Sequence, residues 1–212
     1  MTLIPKVDHS NPSMELLLAH CHKKSYAAKR NIIHEGDKPH SLYYIIKGSV
    51  TVQTENDEGA EIILAYLNEG DFFGEAGLFK ENLDRSAMVV TRAPSEIAEI
   101  TYVQFRKLVH DDPEIMFLLS GQIFDRLIKT SQRVRDLIFL DVSGRIARTL
   151  LELSKQPDAM THPNGMQIKI TRQDIAKIVG CSREMAGRVL KELEDEKLIE
   201  AHGKTIVVFG TR

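Results

Sequence analysis

Two stretches of this 212-residue chain hold residue types at spacings that could do chemistry. The first is Gly70-Asp-Phe-Phe-Gly-Glu-Ala-Gly-Leu-Phe79, followed by Arg85-Ser-Ala87. Glycine-lined backbone N–H groups at the start of a short helix can cradle a phosphate. Gly74 would open that cradle, Arg85 can neutralise the anion, Ser86 can add a hydroxyl donor, and Glu75 can accept from a sugar hydroxyl. On spacing alone, a turn with a structural ion pair is the stronger account of these residues.

The second stretch is Thr171-Arg-Gln-Asp-Ile-Ala-Lys-Ile-Val-Gly-Cys-Ser-Arg-Glu-Met-Ala-Gly-Arg-Val-Leu-Lys191. Ile175 and Val179 give a first helix one inward face, and Ala176 is small where a second helix would cross it. Gly180 can adopt the positive φ of a tight turn, and Ser182 is a natural N-cap. Ala186, Val189 and Leu190 then bury the inner face of the second helix, which leaves Arg183, Glu184, Arg188 and Lys191 outside. Arginine can pair bidentately with guanine, and glutamate can accept from the cytosine amino group. Thr171, Arg172, Gln173 and Ser182, at the two helix starts, complete the candidate DNA-facing set. Residues 171–191 hold five basic and two acidic side chains, whereas 192–196 carry four acids and should face away from phosphate. A solvated helical hairpin is the bland alternative.

These stretches need elements to position them. Glycines at 36, 48, 59 and 70 recur every eleven or twelve residues in the first half. Between and beyond them run Leu42–Ile46, Ser49–Val52, Glu61–Tyr66, Ala87–Val90 and Glu96–Ile100, β-branched and aromatic in character. Short, evenly spaced strands with turn signals predict a sandwich or barrel. The pattern turns helical after Thr101, and Asp112-Pro113 reads as a helix start. Met116, Leu119, Ile123, Leu127, Val134 and Leu137 follow at mostly three- and four-residue steps. Such a stripe could lie on its own barrel, but it is long and flanked by Arg126, Lys129, Arg133 and Arg135, so a two-fold helix pair is expected. A further helix is expected from Asp141 through Ser154. Gln156–Gly165, with two prolines and an Asn-Gly pair, reads as a surface loop, and a C-terminal hairpin follows around His202-Gly203.

Composition bounds the rest. A hydrophobic share of 42% and a charged share of 27% belong to an ordinary globular protein. No apolar run approaches a membrane span, and Met1–Ser10 has no apolar core for a secretion signal. The isolated Cys21 and Cys181 fit reduced thiols in a cytoplasmic protein and cannot supply the four thiolates of an iron–sulfur cluster. His20-Cys21-His22 is the only metal-like run, and adjacent residues do not converge on one helix face, so no metal site is expected. No Ser/His/Asp or Cys/His set is spaced for catalysis. A haem effector is the alternative on this fold, and the intact Gly74, Glu75, Arg85 and Ser86 set argues against it. The net charge of −2 means that any DNA binding depends on a local basic patch.

The chain resembles the cyclic-AMP receptor protein (catabolite activator) family, including its virulence-factor regulators, over essentially its whole length. The resemblance rests on Tyr43-Tyr-Ile-Ile-Lys-Gly-Ser-Val50, Gly70-Asp-Phe-Phe-Gly-Glu75, Arg85-Ser-Ala87, Phe139-Leu-Asp-Val142, Gln156–Thr171 and Gly180-Cys-Ser-Arg-Glu184. It implies an α+β architecture: a cyclic-nucleotide-binding β-roll, jelly-roll-like, over 1–112, a long dimerisation helix and hinge over 113–140, and a winged helix-turn-helix over 141–212. By position it implies that Gly74, Glu75, Arg85 and Ser86 meet the cyclic phosphate and ribose of cyclic AMP. Arg126 would hold the ribose-binding Glu75, while Thr130 and the partner subunit's Ser131 would hydrogen-bond the adenine. The implied function is a non-enzymatic, bacterial, cytoplasmic homodimer, mainly an activator. It would bind pseudo-palindromic promoter DNA and recruit RNA polymerase, with no membrane partner. Thr161, His162, Pro163, Asn164 and Gly165 match one polymerase contact. His22 and Lys24 keep part of a second, where Val103-Gln104 lacks the expected positive charge. Ala76, within the phosphate cassette, Met88 and Arg135 depart from the family's leucine, tryptophan and glycine, and none of the three changes removes one of the ligand-binding residues.

Overall fold

The computed structural model describes residues 11–80 and 83–211. The described residues form two compact units, one of residues up to 60 with 64–129 and one of residues 61–63 with those from 130 on, so that the main division falls within one long helix between Lys129 and Thr130.

The first unit begins with a helix, α1 (Pro12–Ala19), capped by Asn11, whose side chain accepts from the Ser13 amide. Strands follow as β1 (His22–Tyr26), β2 (Asn31–Ile33), β3 (Ser41–Lys47), β4 (Ser49–Glu55), β5 (Glu61–Asn68) and β6 (Phe72–Phe73). A one-turn helix α2 (Ala76–Phe79), β7 (Met88–Thr91), β8 (Ser95–Thr101), α3 (Tyr102–Asp111) and the start of α4 (Glu114–Phe139), as far as Lys129, complete the unit. Two four-stranded sheets result, ordered β1-β8-β3-β6 and β2-β7-β4-β5.

Period-two alternation explains why β3 is buried on both faces. Leu42 and Tyr44 point into a cluster with Met14, Leu17, Phe105, Leu108, Ile115 and Leu119, which come from α1, α3 and the start of α4. Ile45, with half-buried Tyr43, points the other way, into a cluster with Ile33, Val50, Leu67, Val89 and Ile97 inside the roll. Phe72 and Phe73 divide the same way, Phe72 toward the helices and Phe73 into the roll. The predicted roll is therefore present. Residues 22–26 and 31–33 form strands that apolar alternation did not announce, because β1 is an exposed, lysine-bearing strand.

The long helix starts where Asp112-Pro113 predicted, with Asp112 accepting from the Glu114 amide. Its apolar stripe divides into a part that lies on the helix's own roll and a part that is exposed. Ile115 and Leu119 are buried on the helix's own roll, and Met116 and Ile123 pack beside them. Beyond that point Phe124, Leu127, Val134, Leu137 and Phe139 are exposed, Phe139 by as much as 77%.

The second unit carries α5 (Val142–Leu153), β9 (Met160–His162), β10 (Gly165–Lys169), α6 (Arg172–Val179), α7 (Arg183–Asp195), β11 (Ile199–His202) and β12 (Thr205–Phe209). Asp141 caps α5 by accepting from the Gly144 amide at 2.8 Å. The four strands form one antiparallel sheet, ordered β11-β12-β10-β9. Residues 156–165 thus differ from the expected plain loop. Met160–His162 pairs with Gly165–Gln167, so Pro163-Asn164 is the tip of a hairpin. The alternation that drives this pairing lies in Met166–Ile170, outside the segment whose turn residues suggested a loop.

Candidate ligand pocket and nucleic-acid interface

A cavity of about 170 Å³ opens in the roll of the first unit. Ile33, Val52, Leu67, Phe73 and Val89 supply apolar walls, and Gly74, Glu75, Gly77, Arg85, Ser86 and Arg126 supply the polar side. The strand β6 delivers the chain to Gly74, whose φ of +77° is a left-handed conformation that side chains rarely adopt. A Cβ at Gly74 would stand 2.8 Å from Arg85 Nη1, so a side chain there would displace the guanidinium as well as strain the backbone.

Arg85 is held in place by backbone and phenol oxygens. Nη1 donates to Gly74 O at 2.8 Å and to the Tyr102 hydroxyl at 3.1 Å, and Nη2 donates to Ser41 O at 2.8 Å. The guanidinium also lies 5.7 Å from the Tyr43 ring centroid and 5.9 Å from that of Tyr102. Its partners among the described residues are uncharged oxygens, so a half-buried positive charge able to meet an anion stands at the glycine turn. Sequence reasoning missed Tyr102. Its hydroxyl donates to Gly74 O at 2.6 Å, and burial raises its pKa against the opposing influence of Arg85, keeping it a neutral donor. Only its position just after β8 brings it here, and nothing in its local sequence signals that.

Glu75 precedes α2 and reaches Arg126 on α4, with Oε1 and Nη1 3.3 Å apart. Arg126 also donates to Phe72 O. The carboxylate is therefore oriented at the cavity wall with acceptor capacity to spare. Ser86 lines the same cavity and is exposed. Thr130 and Ser131 do not line it. They are exposed on α4, Thr130 one helical turn beyond Arg126. Ala76 faces the cavity mouth, Met88 sits half-buried on β7, and Arg135 is exposed beside Asp136.

In the second unit, α6 and α7 form the expected helix-turn-helix. Thr171 caps α6 in a reciprocal box with Asp174, and Gly180 ends it at φ +73°. Ser182 caps α7 by accepting from the Met185 amide at 3.1 Å. Ile175, Ala176, Val179, Ala186, Val189, Leu190 and Leu193 are buried. Arg172, Gln173, Arg183, Glu184, Arg188 and Lys191 are exposed, and the last four share the outer face of α7. Arg172 lies against Gly187 of α7, 3.6 Å from a Cβ placed there, so the α6 start and the α7 face form one surface. The β11–β12 hairpin follows as a wing. Thr161, Pro163 and Asn164 are exposed at the β9–β10 hairpin, while His162 is half-buried and Gly165 buried. His22 and Lys24 are exposed on β1.

A glycine-cradled, arginine-bearing cavity in a β-roll, and a winged helix-turn-helix with a basic outer face, define a ligand-responsive DNA-binding regulator. Residues 23–112 match the cyclic nucleotide-binding domain model, and residues 144–209 the Crp-like helix-turn-helix domain model. The chain belongs to the Crp family of transcriptional regulators. It is 59% identical, over 96% of its length and 97% of the relative's, to the cAMP-activated global transcriptional regulator CRP of Salmonella typhimurium. Identity is 57%, over 100% and 99%, to the cAMP-activated global transcriptional regulator Vfr of Pseudomonas aeruginosa. Among solved structures, the c-di-GMP responsive global regulator CLP of Xanthomonas campestris matches with a TM-score of 0.87. That match has 44% identity and covers 94% of this chain and 99% of CLP. No described helix is long and apolar enough to cross a membrane.

Proposed function

We propose that this protein is a cyclic-AMP-dependent transcriptional regulator, mainly an activator, that acts in the cytoplasm as a homodimer on pseudo-palindromic promoter sites. It is a binding protein and not an enzyme. The observation that carries the ligand reading is Arg85, half-buried beside Gly74 with uncharged partners, opposite an oriented Glu75. A cyclic monophosphate matches that pairing: its phosphate on Arg85, Ser86 and the glycine turn, its ribose hydroxyl on Glu75. The exposed apolar side chains of α4 support the homodimer, and residues 1–112, 113–140 and 141–212 divide the work into ligand, seam and DNA. Titration with cyclic AMP and cyclic GMP, with cyclic di-GMP alongside, while following binding to a palindromic duplex, tests the whole reading. Cyclic AMP should be the nucleotide that promotes DNA binding; a response to cyclic di-GMP alone would replace it.

Thr130 and the partner subunit's Ser131 are assigned to the adenine. Both are exposed on α4, and this assignment follows from the family resemblance. Thr130→Ala and Ser131→Ala should each change the cyclic AMP to cyclic GMP affinity ratio by up to roughly tenfold, the loss of a hydrogen bond of about 0.5–1.5 kcal/mol. Equal ratios in calorimetry for variants and wild type would move base reading elsewhere.

RNA polymerase is assigned to the hairpin bearing Thr161, His162, Pro163, Asn164 and Gly165, with His22 and Lys24 as part of a second contact. Thr161 is exposed on β9, an edge strand, where a partner could meet it. Thr161→Ala should impair transcription in vitro while nucleotide and DNA affinities stay within twofold of wild type. Normal activation from promoters with the site upstream of, and overlapping, the polymerase footprint would rule this surface out.

A further inference from the structure

Helix α4 grips the turn that leads into the glycine cradle through two side chains one helical turn apart. One is Arg126, already described. The other is Gln122, whose amide makes two hydrogen bonds to the backbone of that turn. Its Nε2 donates to Gly70 O at 2.8 Å, and its Oε1 accepts from the Phe72 amide at 2.9 Å. These two backbone groups flank Asp71. The opposite edge of the same segment is zipped to β3, where Gly70 N donates to Ile45 O and Ile45 N donates to Asp71 O. A carboxamide presents one acceptor and a donor pair in the geometry of a peptide group. Gln122 thus takes the place of a neighbouring strand beside a segment that has β3 on its other side. Because Arg126 takes Phe72 O, both backbone groups of the fully buried Phe72 belong to α4 side chains.

We propose that Gln122 is a positioning residue that couples the phosphate-binding turn to α4, so that ordering of Gly70–Glu75 by a ligand is felt along the helix. The proposal rests on the cyclic-nucleotide reading of the cavity. The physical basis is the stiffness of the connection. Two hydrogen bonds from one planar amide fix both distance and orientation, whereas apolar packing alone would let the turn slide along the helix. Gln122 itself does not line the cavity, so it acts through Gly70 and Phe72 and not on the ligand.

The test compares full-length wild type, Gln122→Glu and Gln122→Met. Each is measured for cyclic-AMP affinity by calorimetry, for thermal melting, and for the ratio of palindrome affinities with and without saturating cyclic AMP. Glutamate keeps the acceptor for the Phe72 amide and loses the donor to Gly70 O; methionine loses both at similar length. The activation ratio should fall in the order wild type, glutamate, methionine, by at least tenfold at the end of the series. Cyclic-AMP affinity should change only severalfold. A residue with a purely structural role would lower the melting temperature and leave the ratio unchanged, and that result overturns the proposal. If the methionine variant does not fold, the glutamate variant alone decides, and an unaltered ratio there is equally fatal. Wild-type protein that takes up no cyclic AMP would overturn the cavity reading together with this one, which separates the two failures.

Discussion

Arg85→Leu is expected to lower cyclic-AMP affinity by roughly 10²- to 10⁴-fold. The phosphate would lose two charge-assisted hydrogen bonds of about 1.5–3 kcal/mol each. The roll should survive, because Tyr102 still donates to Gly74 O and the apolar clusters on both faces of β3 are untouched. Ser41 O does lose its guanidinium partner, so a modest fall in melting temperature accompanies the loss of ligand. Arg85→Lys separates charge from geometry. It keeps the cation, yet one ammonium cannot reproduce a fork that spans Gly74 O, the Tyr102 hydroxyl and Ser41 O. Its affinity should therefore fall between those of wild type and Arg85→Leu. Calorimetry that returns near-wild-type binding for Arg85→Leu would remove this residue from the site.

The second large effect is expected at the outer face of α7. Arg183→Ala, Glu184→Ala and Arg188→Ala should each relax preference at particular base pairs, by about 1–3 kcal/mol where a bidentate contact is lost. None should affect folding, since all three side chains are exposed and the helix is held by Ala186, Val189, Leu190 and Leu193. Lys191→Ala should weaken every sequence alike and reduce the salt slope, as the loss of a phosphate contact does. The preferred duplex should be a pseudo-palindrome with half-site centres roughly 34–36 Å apart, one helical turn. In a selection from random duplexes, the same consensus for all four variants would abolish this division of roles.

What the sequence made legible tracks where local chemistry and tertiary structure agree. Thr171, Gly180 and Ser182 each act in the structure as their residue types suggest, two as caps and one as a left-handed turn. The helix-turn-helix was accordingly readable from 21 consecutive residues. The ligand cavity was only half legible. Gly74, Glu75 and Arg85 lie close in sequence, but their partners Ser41, Tyr102 and Arg126 come from β3, α3 and α4. Such contacts depend on the closure of the roll, which no short-range pattern encodes. Spacing alone favoured a turn with a structural ion pair, and the family resemblance reversed that preference. The β9–β10 hairpin was missed for a related reason. Its outer strand is short and exposed, and its pairing is dictated by the strand that follows.

The apolar stripe of α4 has a thermodynamic consequence. Ile115 and Leu119 are satisfied within one chain, but Phe124, Leu127, Val134 and Leu137 are not. If a second copy covers them, folding and association are linked by mass action, and the unfolding midpoint becomes a function of how much protein is present. Each tenfold dilution should remove about 1.4 kcal/mol of apparent stability from the dimer. Melting curves recorded over a thousandfold range of protein concentration should shift steadily downward on dilution. Replacing Leu127 and Val134 with polar residues should make the curves coincide.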